Sequence, residues 1–218
     1  MPESPPEKKN ISFNFYLFEK RIFDFILSLI SLILLSPLMF VIAALVFFET
    51  RQNPIFIQER GLSLTKRRFK IIKFRTLFTI TPHIKKTGES TLSKKEYKSS
   101  VRAIGSLLRR KGLDELPQLL NILKGDMSFI GLRPLSIDDL ENIQKDFPGL
   151  YFEREKLDIP LGLSGLWQLN KDENFSVEHL ISTEKIYFSN RSVLFDLKLL
   201  GKSIKISFSS RHKDSIVS

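Results

Sequence analysis

The 218-residue sequence contains no cysteine. That excludes disulfides, a cysteine nucleophile and thiolate metal sites, and it is compatible with the cytoplasm. Charge is missing from one long stretch: Phe25 to Phe48 is a run of 24 residues without an Asp, Glu, Lys or Arg. Such a run exceeds the roughly 20 residues that span a hydrocarbon core. It is also too long for the apolar region of a signal peptide and lacks a small-residue cleavage pattern, so no signal peptide is expected. Zinc-ligand spacing, an RNA-recognition signature, a glycine-rich clamp and internal repeats are absent as well. The net charge of +10 therefore reads as a complement to anionic lipid headgroups and phosphorylated substrates, and nucleic acid is not expected as a partner. The length suits one domain with a modest core, and the 42% hydrophobic content is ordinary only because an apolar segment is offset by a very polar remainder.

Ser36-Pro37 interrupts the uncharged run at its middle. Lys8, Lys9, Lys20 and Arg21 precede the run, and Arg51, Arg60, Lys66, Arg67, Arg68, Lys70, Lys73 and Arg75 follow it, with acidic neighbours on both sides. Both flanks thus carry the cationic mark of the cytoplasmic side. A straight span would carry one flank across the membrane. A helix broken at Pro37 could dip in and return, since each arm of about a dozen residues reaches only ~18 Å. The pattern predicts a re-entrant, monotopic anchor over residues 20–50; a Pro-kinked span and a buried core helix are the alternatives. Asp24 at the edge of the run needs a partner, which Lys20 or Arg21 could supply near the interface.

Further along, Leu113-Asp114-Glu115-Leu116-Pro117-Gln118 sets two adjacent carboxylates between Arg109, Arg110, Lys111 and the run Gly125-Asp126-Met127-Ser128. Apolar residues at 104, 107 and 108 predict a helix over 104–111, stopped by Gly112. A second helix runs to Lys124 and is closed by Gly125. Pro117 fits only its first turn, because further in it would clash and remove a donor. Asp114 and Glu115 are then expected at the N-terminal end, where unpaired N–H groups and the helix dipole keep both ionised. An ionised Asp can be a nucleophile and an ionised Glu a metal ligand. Adjacent helical residues point about 100° apart, so the two would divide labour. Simple helix capping is the other reading of such a pair.

Residues 1–10 are expected to be a disordered tail, and 11–19 an aromatic lead-in lying at the membrane interface. Pro54–Gln58 and Phe69–Phe74 read as strands around a Gly61-containing turn. Thr79–Ser100, rich in Ser, Thr and Lys, reads as a long loop that orders over substrate. Met127–Gly131 reads as a short strand, 138–146 as a helix stopped by Pro148-Gly149, and 176–189 as another helix. In the tail, Val193, Leu197, Leu200, Ile204 and Phe208 share one face and Lys198, Lys202 and Lys205 another. That suits an in-plane membrane helix or a core helix with a solvated face. The expected fold is α+β and mostly helical. It comprises a tail and lead-in (1–19), a re-entrant anchor broken at Ser36-Pro37 (20–50), and a catalytic domain at the cytoplasmic face with a small β element and amphipathic interfacial helices (51–218).

Several segments in fixed order carry a resemblance. They are Lys20-Arg21-Ile22-Phe23-Asp24, Ser36-Pro37, Gln58-Glu59-Arg60, Lys73-Phe74-Arg75-Thr76, Ile104-Gly105 through Leu108-Arg109, and Leu113 to Gln118. Then follow Asn121 through Lys124-Gly125-Asp126-Met127-Ser128, Arg133-Pro134, Gly162 to Gln168 and Asp196-Leu197-Lys198. In these the chain resembles the bacterial sugar transferases, monotopic phosphoglycosyl transferases that start polysaccharide and glycoconjugate assembly (exopolysaccharide, capsule, O-antigen) on polyprenol phosphate. The length is similar to that of the small members, which have only the catalytic unit.

The resemblance implies transfer of a sugar phosphate from a UDP-sugar to polyprenol (undecaprenyl) phosphate at the inner membrane, with release of UMP. Asp114 matches the family nucleophile that forms an aspartyl-phosphosugar, and Glu115 the ligand of Mg²⁺, a hard cation suited to oxygen. Lys73, Arg75, Arg109 and Arg133 are candidate phosphate-binding cations, each with a salt-bridge or headgroup role as its alternative. Asp126 is expected to hold a turn. A homodimer is left open. Three departures stand out. Leu132 replaces a proline, which suggests a looser loop at 131–134. Pro160-Leu161-Gly162 lacks the family's Arg, for which Arg154 or Lys156 could substitute at the donor. Glu184 stands where the family has Asp. The rival readings are a glycosyl transferase releasing UDP and a non-catalytic, membrane-anchored assembly partner.

Overall fold

The computed structural model describes residues 8–77, 103–170 and 176–208. The loop expected over 79–100 lies outside these residues, as do residues 1–7 of the expected tail.

The first helix, α1, runs from Lys8 to Thr50 over 43 residues with Pro37 inside it. Helical structure thus runs on through Ser36-Pro37, where a break was expected and where a proline can bend a helix without ending it, and the reason is local. Pro37 has no N–H to give to the carbonyl four residues earlier, that of Ile33. Ser36 Oγ donates to that same Ile33 oxygen at 3.0 Å. The hydroxyl takes up the acceptor that the proline leaves, as apolar surroundings require. Among the described residues α1 is the one helix long and apolar enough to cross a membrane. Much of its middle is bare: Ile30, Ile33, Leu34, Leu38, Phe40 and Val41 are all exposed.

Both halves of α1 dock on the rest of the protein. In the first half Lys20 Nζ donates to Asp196 Oδ2 at 2.6 Å, and both side chains are buried. Tyr16 and Tyr187 donate to the same carboxylate at 3.0 and 2.7 Å. Arg21 donates to the carbonyls of Ile122 and Leu123, both at 2.7 Å. Asp24 Oδ1 accepts the N–H of Phe129 at 3.1 Å. Lys20 lies one turn from Asp24 on the same face of α1, so its charge acts on that carboxylate as expected, but the hydrogen bonds of Lys20, Arg21 and Asp24 all go to residues more than a hundred positions away. In the second half Ile42 and Val46 pack with Phe74 and Leu108, and Ile104 N–H donates to Glu49 Oε1 at 3.2 Å.

Strands β1 (Ile55–Gly61) and β2 (Phe69–Phe74) form an antiparallel hairpin. A short β4 (Leu135–Ser136) pairs with the end of β1. The outer edge of β2 is closed by an amide instead of a strand. Ile72 N–H donates to Asn121 Oδ1 at 3.0 Å, and Asn121 Nδ2 donates to Lys70 O at 2.8 Å. One side chain thus satisfies two backbone groups that an edge strand leaves open. Asn121 belongs to α3 (Gln118–Lys124), which follows α2 (Ala103–Lys111) and a 3-10 turn (Leu113–Glu115).

Two short parallel strands, β3 (Ser128–Ile130) and β5 (Gly162–Ser164), carry the main core. Ile122, Ile130, Leu132, Ile159, Leu161 and Leu199 pack there almost without exposure. A Cβ at Gly162 would lie 2.1 Å from Gly131 N, so the two segments approach too closely for any side chain. The expected looseness at 131–134 gives way to a tied segment: Gly131 N–H donates to Ser164 O at 2.9 Å, Leu132 N–H to Pro160 O at 3.2 Å, and Gly162 N–H to Leu132 O at 2.8 Å. Helix α4 (Ile137–Asp146) starts at a Ser136–Asp139 capping box. It ends at Asp146, before Pro148-Gly149 as expected, and Pro148 opens α5 (Pro148–Glu155), in the first-turn position where proline is favoured. Short α6 (Leu166–Leu169), α7 (Val177–Asn190) and α8 (Val193–Phe208) complete the described chain. In α8 Leu199 is buried against the core while Leu194, Leu197 and Ile204 are exposed, so its apolar residues serve both a core contact and an open face.

Two substitutions test this frame. Lys20→Met leaves the buried Asp196 without its cation and should lower stability by about 3–5 kcal/mol; Asn121→Leu removes two backbone partners and should cost about 2–4 kcal/mol. Denaturant or thermal unfolding of the detergent-solubilised chain measures both.

Candidate active site at the Asp114–Glu115 turn

The carboxylate pair is built by two punctuation residues. Gly112 sits at φ 66°, a left-handed conformation natural to glycine, and ends α2. Pro117 sits immediately before α3 and has no N–H to contribute. Between them Leu113–Glu115 forms its own 3-10 turn, closed by Glu115 N–H to Gly112 O at 3.3 Å and Leu116 N–H to Leu113 O at 3.4 Å. The carboxylates were expected at the N-terminal end of α3, and they stand in the turn that leads into it. They precede it because the proline confines the start of α3 to its own position.

Asp114 is buried, at 7% exposure, while Glu115 reaches the surface. Lys73 Nζ donates to Glu115 Oε1 at 2.7 Å. Strand register explains the approach. Phe56 faces Lys73, Gln58 faces Ile71 and Arg60 faces Phe69, so Lys73, Gln58 and Arg60 share the face of the hairpin nearest the turn. Arg60 Nη2 donates to Gln58 Oε1 at 2.7 Å, and Nη1 to Pro134 O at 3.5 Å. Burial pushes the Arg60 pKa below its ordinary value, opposed by the carboxylates of Asp139, Glu115 and Asp138. A guanidinium nonetheless stays charged at neutral pH. Arg60 was quoted in the resemblance but not singled out as a site residue. The signal that could have found it is strand alternation, which puts it two pairs along from Lys73 on one face.

The other expected cations divide. Arg133 lies over the ring of Trp167, 4.4 Å from its centre, and its segment is joined to the hairpin through the Arg60–Pro134 contact. Arg109 Nε donates to Thr76 Oγ1 at 2.7 Å. Arg75 instead turns to the backbone, donating to Asn53 O at 2.8 Å and Ile55 O at 3.4 Å. Arg154 does not stand in for the missing donor-binding Arg. It is 1% exposed, its Nε donates to Glu184 Oε2 at 2.7 Å, and its remaining nitrogens donate to the carbonyls of Leu62 and Arg133. Burial on a carboxylate consumes the guanidinium. Lys156 is exposed. Asp126 accepts from Asn121 Nδ2 at 3.1 Å, the expected turn-holding contact. Lys20, Arg21, Asp24, Ser36 and Pro37 all serve the helix and its docking.

Gln118, three residues after Glu115, is 2% exposed, and its Nε2 has no protein partner among the described residues. With Lys73 and Arg60 this makes a set of donors, which suits the oxygens of a phosphate. For a metal the set is narrow. No group of three or more His, Asp or Glu gathers among the described residues. Among the described residues zinc or calcium therefore finds no protein cage. Mg²⁺, which keeps several waters and takes one or two carboxylates plus substrate phosphates, fits Glu115.

A buried Asp114, a half-buried Glu115 held by Lys73 and influenced by Arg60, and one long apolar helix are the features brought together here. Residues 15–210 match the bacterial sugar transferase family model. The chain belongs to that family and is a transferase. It is 34% identical over 196 residues to the exopolysaccharide production protein ExoY of Rhizobium meliloti, covering 85% of this chain and 83% of that protein. It is 30% identical to the undecaprenyl-phosphate galactose phosphotransferase of Salmonella typhimurium, covering 87% of this chain and 40% of that one. It is 32% identical to the UDP-glucose:undecaprenyl-phosphate glucose-1-phosphate transferase of Klebsiella pneumoniae, covering 83% and 38%. The chain is thus comparable in length to the first relative and matches less than half of the other two.

Lys73→Met should leave the fold intact and lower kcat/KM by roughly 10²–10³, the usual loss of one electrostatic contact at a reacting centre. Circular dichroism and steady-state kinetics on the same preparation measure the two halves of that statement.

Proposed function

We propose that this chain is a phosphoglycosyl transferase that moves a sugar phosphate from a UDP-sugar to polyprenol phosphate, undecaprenyl phosphate being the expected carrier, and releases UMP. The observation that carries the reading is the buried Asp114 beside Glu115, with Lys73 on the neighbouring carboxylate. A carboxylate that is already ionised needs no general base. One Asp114 oxygen attacks the sugar-linked phosphorus, the bond from that phosphorus to the bridging oxygen breaks, and UMP departs with the electron pair. A phosphate oxygen of the polyprenol phosphate then attacks the same phosphorus and displaces Asp114. No net proton moves in either step. Mg²⁺ held by Glu115 would offset charge on the pyrophosphate. Lys73, Arg60, Arg109 and Arg133 are the cations assigned to the phosphates in this reading, and the relatives' names support both the carrier and the donor class.

The same reading treats residues 20–50 as a re-entrant anchor and 51–218 as a domain on the cytoplasmic face, with a homodimer permitted. Its support is that residues before Pro37 and residues after it dock on the same folded unit, while exposed apolar side chains run along α1 from Phe15 to Phe48, its middle included. A helix with its ends on opposite sides of a bilayer could not make both sets of contacts with one domain in water.

The membrane-extracted protein, incubated with Mg²⁺, polyprenol phosphate and a panel of UDP-sugars, should release UMP, and Asp114→Asn should abolish it. UDP in place of UMP would mean transfer of the sugar alone and would overturn the reading. Chelation by EDTA should stop UMP release, and added Mg²⁺ should restore it.

A further inference from the structure

The most deeply buried charges outside the dyad are Arg154 and Glu184, with side chains 2% and 0% exposed. The proposed reaction uses neither. Replacing such a pair with apolar residues is often neutral or stabilising, so stability is a poor reason for its presence. Its remaining hydrogen bonds suggest another role. Glu184 Oε1 accepts the backbone N–H of Arg133 at 2.8 Å, and Arg154 Nη2 donates to the backbone carbonyl of that same residue. Arg154 Nη1 donates to the carbonyl of Leu62, two residues beyond Arg60. The pair thus grips Arg133 by both of its peptide groups and ties it to the strand end that carries Arg60.

We infer that Arg154 and Glu184 are positioning residues: as a buried clamp they set the height of the 131–134 segment so that the Arg133 guanidinium lies on Trp167 and faces the diphosphate of the donor. The clamp stands on the geometry alone; its effect on turnover rests on the proposed function. Leu62 follows β1, Arg133 lies between β3 and β4, and Arg154 and Glu184 lie on α5 and α7. A shift of the ion pair therefore moves Arg133 relative to the hairpin bearing Lys73 and Arg60, and misplacement by about 1 Å can cost on the order of a hundredfold in rate.

Trp167 is the only tryptophan in the chain, and Arg133 stacks on it, so its emission reads the clamp directly and without substrate. The variants, made in the full chain in detergent, are Arg133→Ala, Arg154→Lys, and Arg154→Met combined with Glu184→Leu. The last removes both charges together and so guards against loss of fold. Arg154→Lys keeps the charge but loses the planar fork. Both clamp variants should reproduce the change in Trp167 emission and acrylamide quenching caused by Arg133→Ala, and adding Arg133→Ala to either should change nothing further. In the UMP assay both should raise the donor KM by roughly ten- to hundredfold, the scale of lost charge-assisted contacts, again without further effect in the Arg133→Ala background. Wild-type Trp167 emission in both clamp variants would overturn the proposal, as would effects that add to those of Arg133→Ala. If Arg133→Ala itself leaves UMP release unchanged, the assignment of Arg133 to the donor fails, while the fluorescence still decides whether the clamp exists.

Discussion

Lys20, Arg21 and Asp24 enter a helix that continues into twenty-four uncharged residues, and a buried or lipid-facing charge without a partner costs several kcal/mol. Each finds its partner on the rest of the fold: the Asp196 carboxylate, the last carbonyls of α3 and the Phe129 amide. That requirement orients α1. It also fixes α8 through Asp196 and α3 through its C-terminal end, and α3 in turn holds the β2 edge by Asn121. Lys73 on β2 and the dyad before α3 therefore share a support. The charges at the mouth of the apolar helix and the carboxylate turn at Asp114 belong to one mechanical frame.

Within that frame the polar side chains serve two kinds of end. Asn121, Arg21 and Arg154 satisfy backbone groups left open by a strand edge, a helix end and a loop. Lys73, Arg60 and Gln118 keep donors near the carboxylate turn. The hairpin serves both, since its register places Lys73 and Arg60 on one face while its opposite face packs Phe74 against Ile42 and Val46.

Much of this was legible in the residues. Gly112, Pro117 and Gly125 punctuate the chain where glycine and proline must, so the elements around the dyad could be placed from sequence. The hairpin followed from apolar runs and the tail helix from its stripe. The partners were not legible, because each joins positions far apart: Lys20 to Asp196, Arg154 to Glu184, Asn121 to β2. Composition alone could not say whether Arg154 was a substrate ligand or a buried strut, since an arginine serves either. Pro148 was legible as the stop of α4, which ends at Asp146, but not as the opening of α5, where its missing N–H is not needed. Pro37 was read as a break, and there the acceptor left behind is met by Ser36.

The two-ended docking of α1 has a kinetic meaning. If the exposed stretch between the docked halves is what enters the leaflet, the carboxylate turn is held at a fixed height above the lipid, with no freedom to rise toward a dissolved acceptor. Encounter with a lipid-borne phosphate then becomes lateral diffusion in a sheet. The quantity that governs the second step is the mole fraction of acceptor in that leaflet, so dilution with inert lipid slows the enzyme even when the molarity of every reactant in the tube is unchanged.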